Sequence, residues 1–333
     1  MKQTILYAYL VLMLAVGLPF LANLGTPDSP GGTNPTPSAA VDEASGPETQ
    51  LPSAPDTLLV LLPDGRTEEQ DMQSYLTGVV AAEMPADFHI EALKAQAVAA
   101  RSYAMYCAAH ARHGEAQVCT DPGCCQAWQS EDARRTKWGD TYERNEELIR
   151  GAVEHTRGEY LAFGGQPVFA AFHSSSASRT ENSADVWNAV PYLVSVPSPE
   201  TERDVPNYIS TLVCSPIDFR DTVLSAHPEA DFSSDAAQWV GELRRDASGR
   251  VASLELGGAL LTGRELRALF SLRSTAFRLS YDGDAFTFTV TGFGHGVGMS
   301  QYGADTMARA GATYEEILSH YYPGTVLAGK PGI

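Results

Sequence analysis

Positive charge is what this sequence is short of. Its 23 Lys and Arg stand against 41 Asp and Glu, giving a formal net charge of −18 and a pI near 4.8. A surface of that sign repels phosphate backbones and argues against binding to DNA or RNA, whereas an uncharged sugar polymer is compatible with it. The chain has no Gly-x-Ser-x-Gly elbow, the usual mark of a Ser-His hydrolase, and its glycine-rich stretch lacks the Gly-Lys-Ser/Thr ending of a phosphate loop. It has no internal repeat. Cysteine is sparse, five in 333 residues, and three of the five fall in one short segment. Apolar residues make up 44 %, which suits a folded core, and the length suits one large domain with attachments.

Long apolar runs are also missing, except at the start. Residues 1–25 place Lys2 before a run from Ile5 to about Leu24, broken by Gly17, Pro19 and Asn23. As a helix that length spans a hydrocarbon core of ~30 Å. It exceeds a usual signal-peptide core, and no Ala-x-Ala cleavage site follows, so it reads as a signal anchor with Lys2 inside and the rest of the chain outside the cytoplasm. Residues 26–56 are rich in Pro, Ser, Thr and Gly, carry five acids and have no Lys or Arg. Such a stretch cannot bury enough apolar surface to order itself and reads as a disordered tether.

The folded domain is expected over residues 57–333. Leu58–Leu62 before Pro-Asp-Gly predicts a strand and turn. Residues 72–84 have helical spacing, ended by Pro85. Asp87 is the expected N-cap of a second, alanine-rich helix over about 88–113. Two short apolar runs around Gly164-Gly165 signal a hairpin. A helix over 265–272, strands near 277–291, and helices over about 300–309 and 314–322 complete the reading. Helices and antiparallel-looking strands in blocks give an α+β class, with a substrate groove expected between them.

Glu83 is the first candidate for chemistry. It lies at the negative end of its helix among Val79, Val80, Ala81, Ala82 and Met84. Helix dipole and desolvation both disfavour its ionised form, so it can hold a proton near neutral pH and donate it to a glycosidic oxygen. The pattern alone leaves open an ordinary solvent-facing glutamate. Arg101, in a small-residue helix, either pairs with a carboxylate or a sugar hydroxyl or extends to water. His173, Ser174, Ser175, Arg179, Thr180, Glu181 and Asn182 form a dense polar run after a strand, suited to a polar ligand or to an ordinary loop. In GFGHGVGMSQYGA the glycines allow tight bends around His295, which is a ligand contact or a structural histidine. His113, Cys119, Cys124 and Cys125, with His110 nearby, suit tetrahedral zinc; a disulfide from Cys119 to Cys124 or Cys125 is the competing reading.

Taken in order, YLTGVVAAEMPADFHIEALKAQAVAARSYA, VCTDPGCCQAW, FHSSSASRTENSADVW, SLRSTAFRL, GHGVGMSQYGA and YEEILSHYYPGT resemble the stage II sporulation protein D family of lytic transglycosylases over about Thr57 to Thr325. The anchor and tether match as well. The resemblance implies an extracytoplasmic enzyme, held in the membrane by the single anchor, that acts on peptidoglycan during spore engulfment. It implies Glu83 as the acid and Arg101 as a functional arginine, with Ser102 where the family has threonine. Arg179 and the 173–182 loop would hold the glycan, and His295, Gln301 and Tyr302 would line the same groove. Ser176-Ala177-Ser178 replaces the family's Ser-Gly-Gly, which implies a different loop geometry. A possible structural zinc on His113, Cys119, Cys124 and Cys125 is implied, with Cys124 standing for a histidine and no cofactor needed for catalysis. Peptidoglycan glycan strands, an amidase and a membrane scaffold are the implied partners.

Overall fold

A computed structural model of the protein describes residues 51–110 and 113–329. The expected anchor and nearly all of the tether lie outside the described residues. Among the described residues no helix is long and apolar enough to cross a membrane.

The chain opens with β1 (Thr57–Leu61) and β2 (Thr67–Asp71), an antiparallel pair, and runs directly into α1 (Met72–Glu83). Asp71 caps α1 by accepting the Ser74 N–H at 2.9 Å, and Pro85 follows its end. The next helix, α2 (Ile90–Ala109), is capped by His89 rather than Asp87, because Pro85 to Phe88 form one more turn first. Asp305 fixes that start by accepting the His89 N–H at 2.7 Å. The helix also ends four residues earlier than the expected His113, which pairs instead with Ala116 in a short bridge. Its alanines explain its place: Ala92, Ala95, Ala97, Ala99, Ala100 and Ala104 are wholly buried, so neighbouring elements approach it closely on every side.

Those neighbours include α1, β3 (Val118–Cys119), which pairs in parallel with β1, and, after the short α3 (Glu131–Trp138), the helix α4 (Tyr142–His155), on which α3 packs. Then come the hairpin β4 (Tyr160–Phe163) and β5 (Gln166–Pro167), turned by Gly164-Gly165 as expected, and the short β6 (Phe172–His173). After the single turn α5 (Ser183–Val186) and the buried Tyr192 and Leu193, the chain leaves this core.

A second hydrophobic core forms over residues 209–291. Strand β7 (Ile209–Cys214) and helix α6 (Pro216–Leu224) precede the meander β8 (Val240–Arg245), β9 (Val251–Leu256) and β10 (Ala259–Thr262). Helix α7 (Gly263–Leu269) starts on a Thr262/Glu265 capping box, and β11 (Phe277–Tyr281) and β12 (Phe286–Thr291) complete a sheet with β7. Phe219 stacks on Phe286 at 4.0 Å, with Phe270 and Phe288 beside them, and such aromatic burial dominates this core. The chain then returns to the first core through β13 (Met299–Ser300), α8 (Gln301–Arg309), α9 (Tyr314–Tyr321) and β14 (Val326–Ala328), which pairs with β4. The class is therefore α+β, with several small sheets that are antiparallel except for β1–β3 and β6–β13.

Candidate active site

Glu83 is the last residue of α1 and is half-buried. Its Oε1 accepts the Ala127 N–H at 2.9 Å. That contact exists because Gly78 lets the 126–129 segment lie directly on the helix: a Cβ at Gly78 would stand 2.3 Å from Trp128 Nε1. The Gly78 carbonyl accepts the Gln129 N–H at 3.1 Å, which fixes the register of the two segments. Burial pushes the Glu83 carboxyl up to about 7, against the opposing pull of Ala127 and Gln301. Gln301 is the weaker support, since its buried Nε2 makes no well-aligned hydrogen bond. A carboxyl in this setting keeps its proton close to neutral pH.

Gln301 opens α8, and the preceding Ser300 pairs with His173 across β13 and β6. Ser300 caps α8 by accepting the Gly303 N–H at 3.1 Å, and the Tyr302 N–H reaches the Ser174 carbonyl at 3.0 Å. The polar loop and the glycine-rich loop are thus tied side by side. Ser175 and Phe293 exchange both backbone hydrogen bonds, and the Glu181 N–H meets the Gly296 carbonyl at 2.7 Å.

The two histidines meet, with ring centroids 5.6 Å apart. His173 is buried between the Ser176 hydroxyl at 2.7 Å and the Val297 carbonyl at 3.2 Å. Burial, with the charges of His295 and Arg250, holds it well below the usual histidine range. His295 is pushed down to about 3, by burial first and the Arg267 charge second. Its Nδ1 accepts the Val297 N–H at 3.0 Å, so the neutral ring carries its proton on Nε2. Neither imidazole is placed to act as a cationic acid at neutral pH.

An aromatic wall continues from His295 to Trp187 at 4.9 Å, Phe169 at 5.9 Å and Tyr103 at 5.2 Å, whose hydroxyl donates to the Cys124 carbonyl at 3.2 Å. Cys125 then leads back through Gln126 to Ala127 and Glu83. These contacts form a closed chain that returns to Glu83, and Trp187 within it is 39 % exposed.

Other expected site residues serve the frame. Ser175, Thr180 and Glu181 are buried. Thr180 ties to Val194 and Val196 through its hydroxyl, and Glu181 takes the Ser248 hydroxyl at 2.5 Å beside the Arg250 guanidinium at 3.5 Å. Arg179 and Asn182 are half-buried and both engage Ser195. Arg101 makes no contact with these residues. It is wholly buried, donating to the Glu159 carbonyl at 2.8 Å, Gln73 Oε1 at 3.1 Å and the Val153 carbonyl at 3.4 Å. The physical reason is that α2 is packed on all sides, so an arginine there has no route to a polymer and joins helices to β4 instead.

The cysteine cluster is compact. The donor atoms of His113, Cys119, Cys124 and Cys125 lie within 4.8 Å of one another, with His113 Nε2 3.2 Å from Cys125 Sγ and 3.6 Å from Cys124 Sγ. Three sulfurs and an imidazole at those separations fit the edges of a zinc tetrahedron. All five cysteines are unbridged. Cys107 does not stand apart as its sequence position suggests: it lies against Cys125 and helps push that thiol up to about 12.

Two further residues belong to the site. Glu200 is buried and accepts the Ser176 N–H at 2.6 Å, the Ser198 hydroxyl at 2.6 Å and the Ser300 hydroxyl at 2.5 Å, joining the polar loop to the start of α8. Arg273 stacks on Phe293 with 4.2 Å between guanidinium carbon and ring centre. No spacing signal marks Glu200. Arg273 sits within SLRSTAFRL, one of the segments that carry the family resemblance, yet nothing in that segment reveals what the arginine faces.

A family model described as a stage II sporulation protein matches residues 65–163, the stretch that holds Glu83, the cysteine cluster and α2. The chain is 37 % identical to stage II sporulation protein D of Bacillus subtilis (strain 168), in an alignment covering 81 % of this chain and 79 % of that protein. It is 35 % identical to stage II sporulation protein D of Bacillus amyloliquefaciens, over 85 % of this chain and 82 % of that one. It is also 28 % identical to the amidase enhancer of Bacillus subtilis (strain 168), over 76 % of this chain and 40 % of that protein. With a protonatable glutamate, a cysteine–histidine cluster and two interlocked loops, and with relatives of this identity and coverage, the chain belongs to the stage II sporulation protein D family.

Proposed function

We propose that the protein is a peptidoglycan lytic transglycosylase that cleaves denuded glycan strands between N-acetylmuramic acid and N-acetylglucosamine during spore engulfment. The observation that carries this reading is the half-buried Glu83 carboxyl at the end of α1, held by the Ala127 N–H beside Gln301 and pushed up to about 7 by burial. Protonated Glu83 gives its proton to the bridging oxygen as the C1–O bond breaks through an oxocarbenium-like state. The carboxylate then takes the proton of the muramic C6 hydroxyl, whose oxygen bonds to C1 and leaves a 1,6-anhydro end. One carboxyl performs both transfers. A glycosidase of the ordinary kind needs a second carboxylate free to act on water or on C1. The buried carboxylates around this site are committed elsewhere: Glu181 to Ser248, Glu200 to three donors, and Asp305 to His89 and Arg309. That commitment favours transglycosylation over hydrolysis.

Trp187, His295, Gln301 and Tyr302 would line the glycan path, with Arg179 and Asn182 at its edge. His113, Cys119, Cys124 and Cys125 would hold a structural zinc, which supplies a cross-link near the segment that binds Glu83 and takes no part in bond breaking. The anchor would place the domain outside the cytoplasm, at the mother cell's engulfing membrane. An amidase that strips stem peptides is the natural upstream partner, in keeping with a relative called an amidase enhancer, and a membrane scaffold would hold the two together.

Mass spectrometry of digested denuded glycan tests the reading. Anhydro-muramic ends from the wild type and none from Glu83→Gln support it. Reducing ends would indicate a hydrolytic muramidase, and glycan capture without soluble product would indicate a binding scaffold.

A further inference from the structure

Several arginines near these loops are held by the protein's own groups. Arg179 donates to the Ser195 hydroxyl and carbonyl and Arg267 to the Leu272 carbonyl at 3.3 Å, while the buried Arg250 stands against Glu181 with its guanidinium nitrogens otherwise unpartnered. Arg273 differs. Among the described residues it takes part in no ion pair, and its Nε is buried without a hydrogen-bond partner. Phe293 supports one face of the guanidinium. The residue stays partly exposed, so an incoming group can reach it.

Its position is built rather than incidental. The Arg273 carbonyl accepts the Gly294 N–H at 2.9 Å, and Phe293 is paired to Ser175, so the side chain rides on both loops of the site. The charge of Arg273 is felt by the Tyr302 phenol, next in sequence to the Gln301 that supports Glu83. A partly exposed planar cation with no anionic partner, supported on one face by a ring, is matched by a planar anion. In a chain of net charge −18 such an isolated cation selects strongly for one acidic group.

From this placement we infer that Arg273 recognises the free lactyl carboxylate of a muramic acid from which the stem peptide has been removed. The inference rests on the proposed glycan substrate and names what makes a strand acceptable. While the peptide is attached, that carboxyl is an amide, neutral and unable to pair with the guanidinium. Removal of the peptide creates the anion that Arg273 fits, so the preference for denuded strands is a charge reading rather than steric exclusion alone.

The test uses denuded glycan and the same glycan with its lactyl carboxyls converted to methylamides, which mimic the peptide linkage. Affinities are measured by calorimetry with the Glu83→Gln protein, which cannot cleave either. The unmodified glycan should bind roughly ten- to hundredfold more tightly than the methylamide, the range for a charge-assisted pair. Adding Arg273→Gln should lower affinity for the unmodified glycan by a similar factor and leave the methylamide nearly unchanged, while Arg273→Lys should recover part of the loss. Equal affinity for the two glycans, measurable affinity for neither, or an equal loss on both with Arg273→Gln overturns the proposal. Whether the wild type forms anhydro ends is scored separately, so the absence of cleavage counts against the transglycosylase reading and not against Arg273.

Discussion

Replacing Glu83 by glutamine should make the protein more stable relative to the wild type as pH rises. The wild-type carboxyl titrates at about 7 in the folded protein against an ordinary 4.5. A raised carboxyl works against the fold as it ionises: below 4.5 the proton is present in both states and there is no penalty. Between 4.5 and about 7 the unfolded chain releases its proton while the folded protein retains it, so stability falls with pH, and above 7 the loss is complete. The separation corresponds to on the order of 3 kcal/mol, an upper figure because the residue keeps part of its surface in water. The substituted glutamine would have the same shape, could still accept the Ala127 N–H, and has nothing to ionise.

The assay is urea unfolding of both proteins at several values between pH 4.5 and 8, followed by circular dichroism. Glu181 is also raised to about 7, by burial first, but it is present in both proteins and cancels in the difference. The gap between variant and wild type should therefore widen with pH in favour of the variant, while its glycan cleavage is absent throughout. The wild-type kcat/KM should fall about tenfold per pH unit above the same value near 7, because the first step needs the protonated acid. Parallel stability curves for the two proteins would refute a Glu83 carboxyl held neutral by its surroundings, and with it the acid role.

Glu200→Gln keeps the volume but turns an amide N–H₂ toward the Ser176, Ser198 and Ser300 donors; a stability loss of about 2–4 kcal/mol is expected, with a larger fall in kcat than in affinity. Proton NMR of the Ser300 and Gly303 amides would show whether the α8 cap loosens. Arg101→Met should lower stability by about 3 kcal/mol, since three buried acceptors lose their donor, and whatever folded protein remains should bind glycan with unchanged affinity. A selective rise in the glycan Kd would instead place Arg101 in the binding path. Chelation should lower Tm by several degrees and release one zinc per chain, measured by elemental analysis. Protein that contains no metal and has the same Tm with chelator would remove the zinc assignment.

Elements whose local pattern agrees with their tertiary setting were legible in the sequence. Helix α8 carries Ser300 at its cap, α9 carries Thr313 and Glu316 as a capping box, and the β4–β5 turn carries Gly164-Gly165. Strand β2 was not legible: TEEQD has no apolar alternation because the strand is exposed on both faces. The separate core over 209–291 was equally hidden, since its aromatic residues read as ordinary short strands until Phe219, Phe270, Phe286 and Phe288 are seen to stack. At the site, the raised carboxyl of Glu83 was legible because its apolar neighbours and helix end are local facts. Arg101 was misjudged because an arginine among alanines looks the same whether its helix lies at the surface or at the centre. Glu200 depends on partners 24 and 100 residues away and leaves no periodic trace.

The state of Glu83 is set by three stretches that meet only in the folded protein. The end of α1 supplies the carboxyl, the segment after Cys125 supplies the Ala127 N–H, and the start of α8 supplies Gln301. The two supports favour the ionised form and burial favours the neutral one, so the balance near 7 needs all three in register. Gly78 admits the second stretch and Glu200 fixes the third through Ser300. Neither residue touches the carboxyl, yet a change at either alters the balance: added bulk at Gly78 withdraws Ala127, and loss of the Glu200 acceptors frees Gln301. The first change removes the well-aligned hydrogen bond to the anion and the second the weaker pull of Gln301, so both should raise the Glu83 pKa further, the Gly78 change more, and the acid would be slower to release its proton while the basic limb of the rate profile moved upward. Damage to the fold at these positions thus carries a signature that general unfolding does not, because loss of burial alone would move the same limb down toward 4.5.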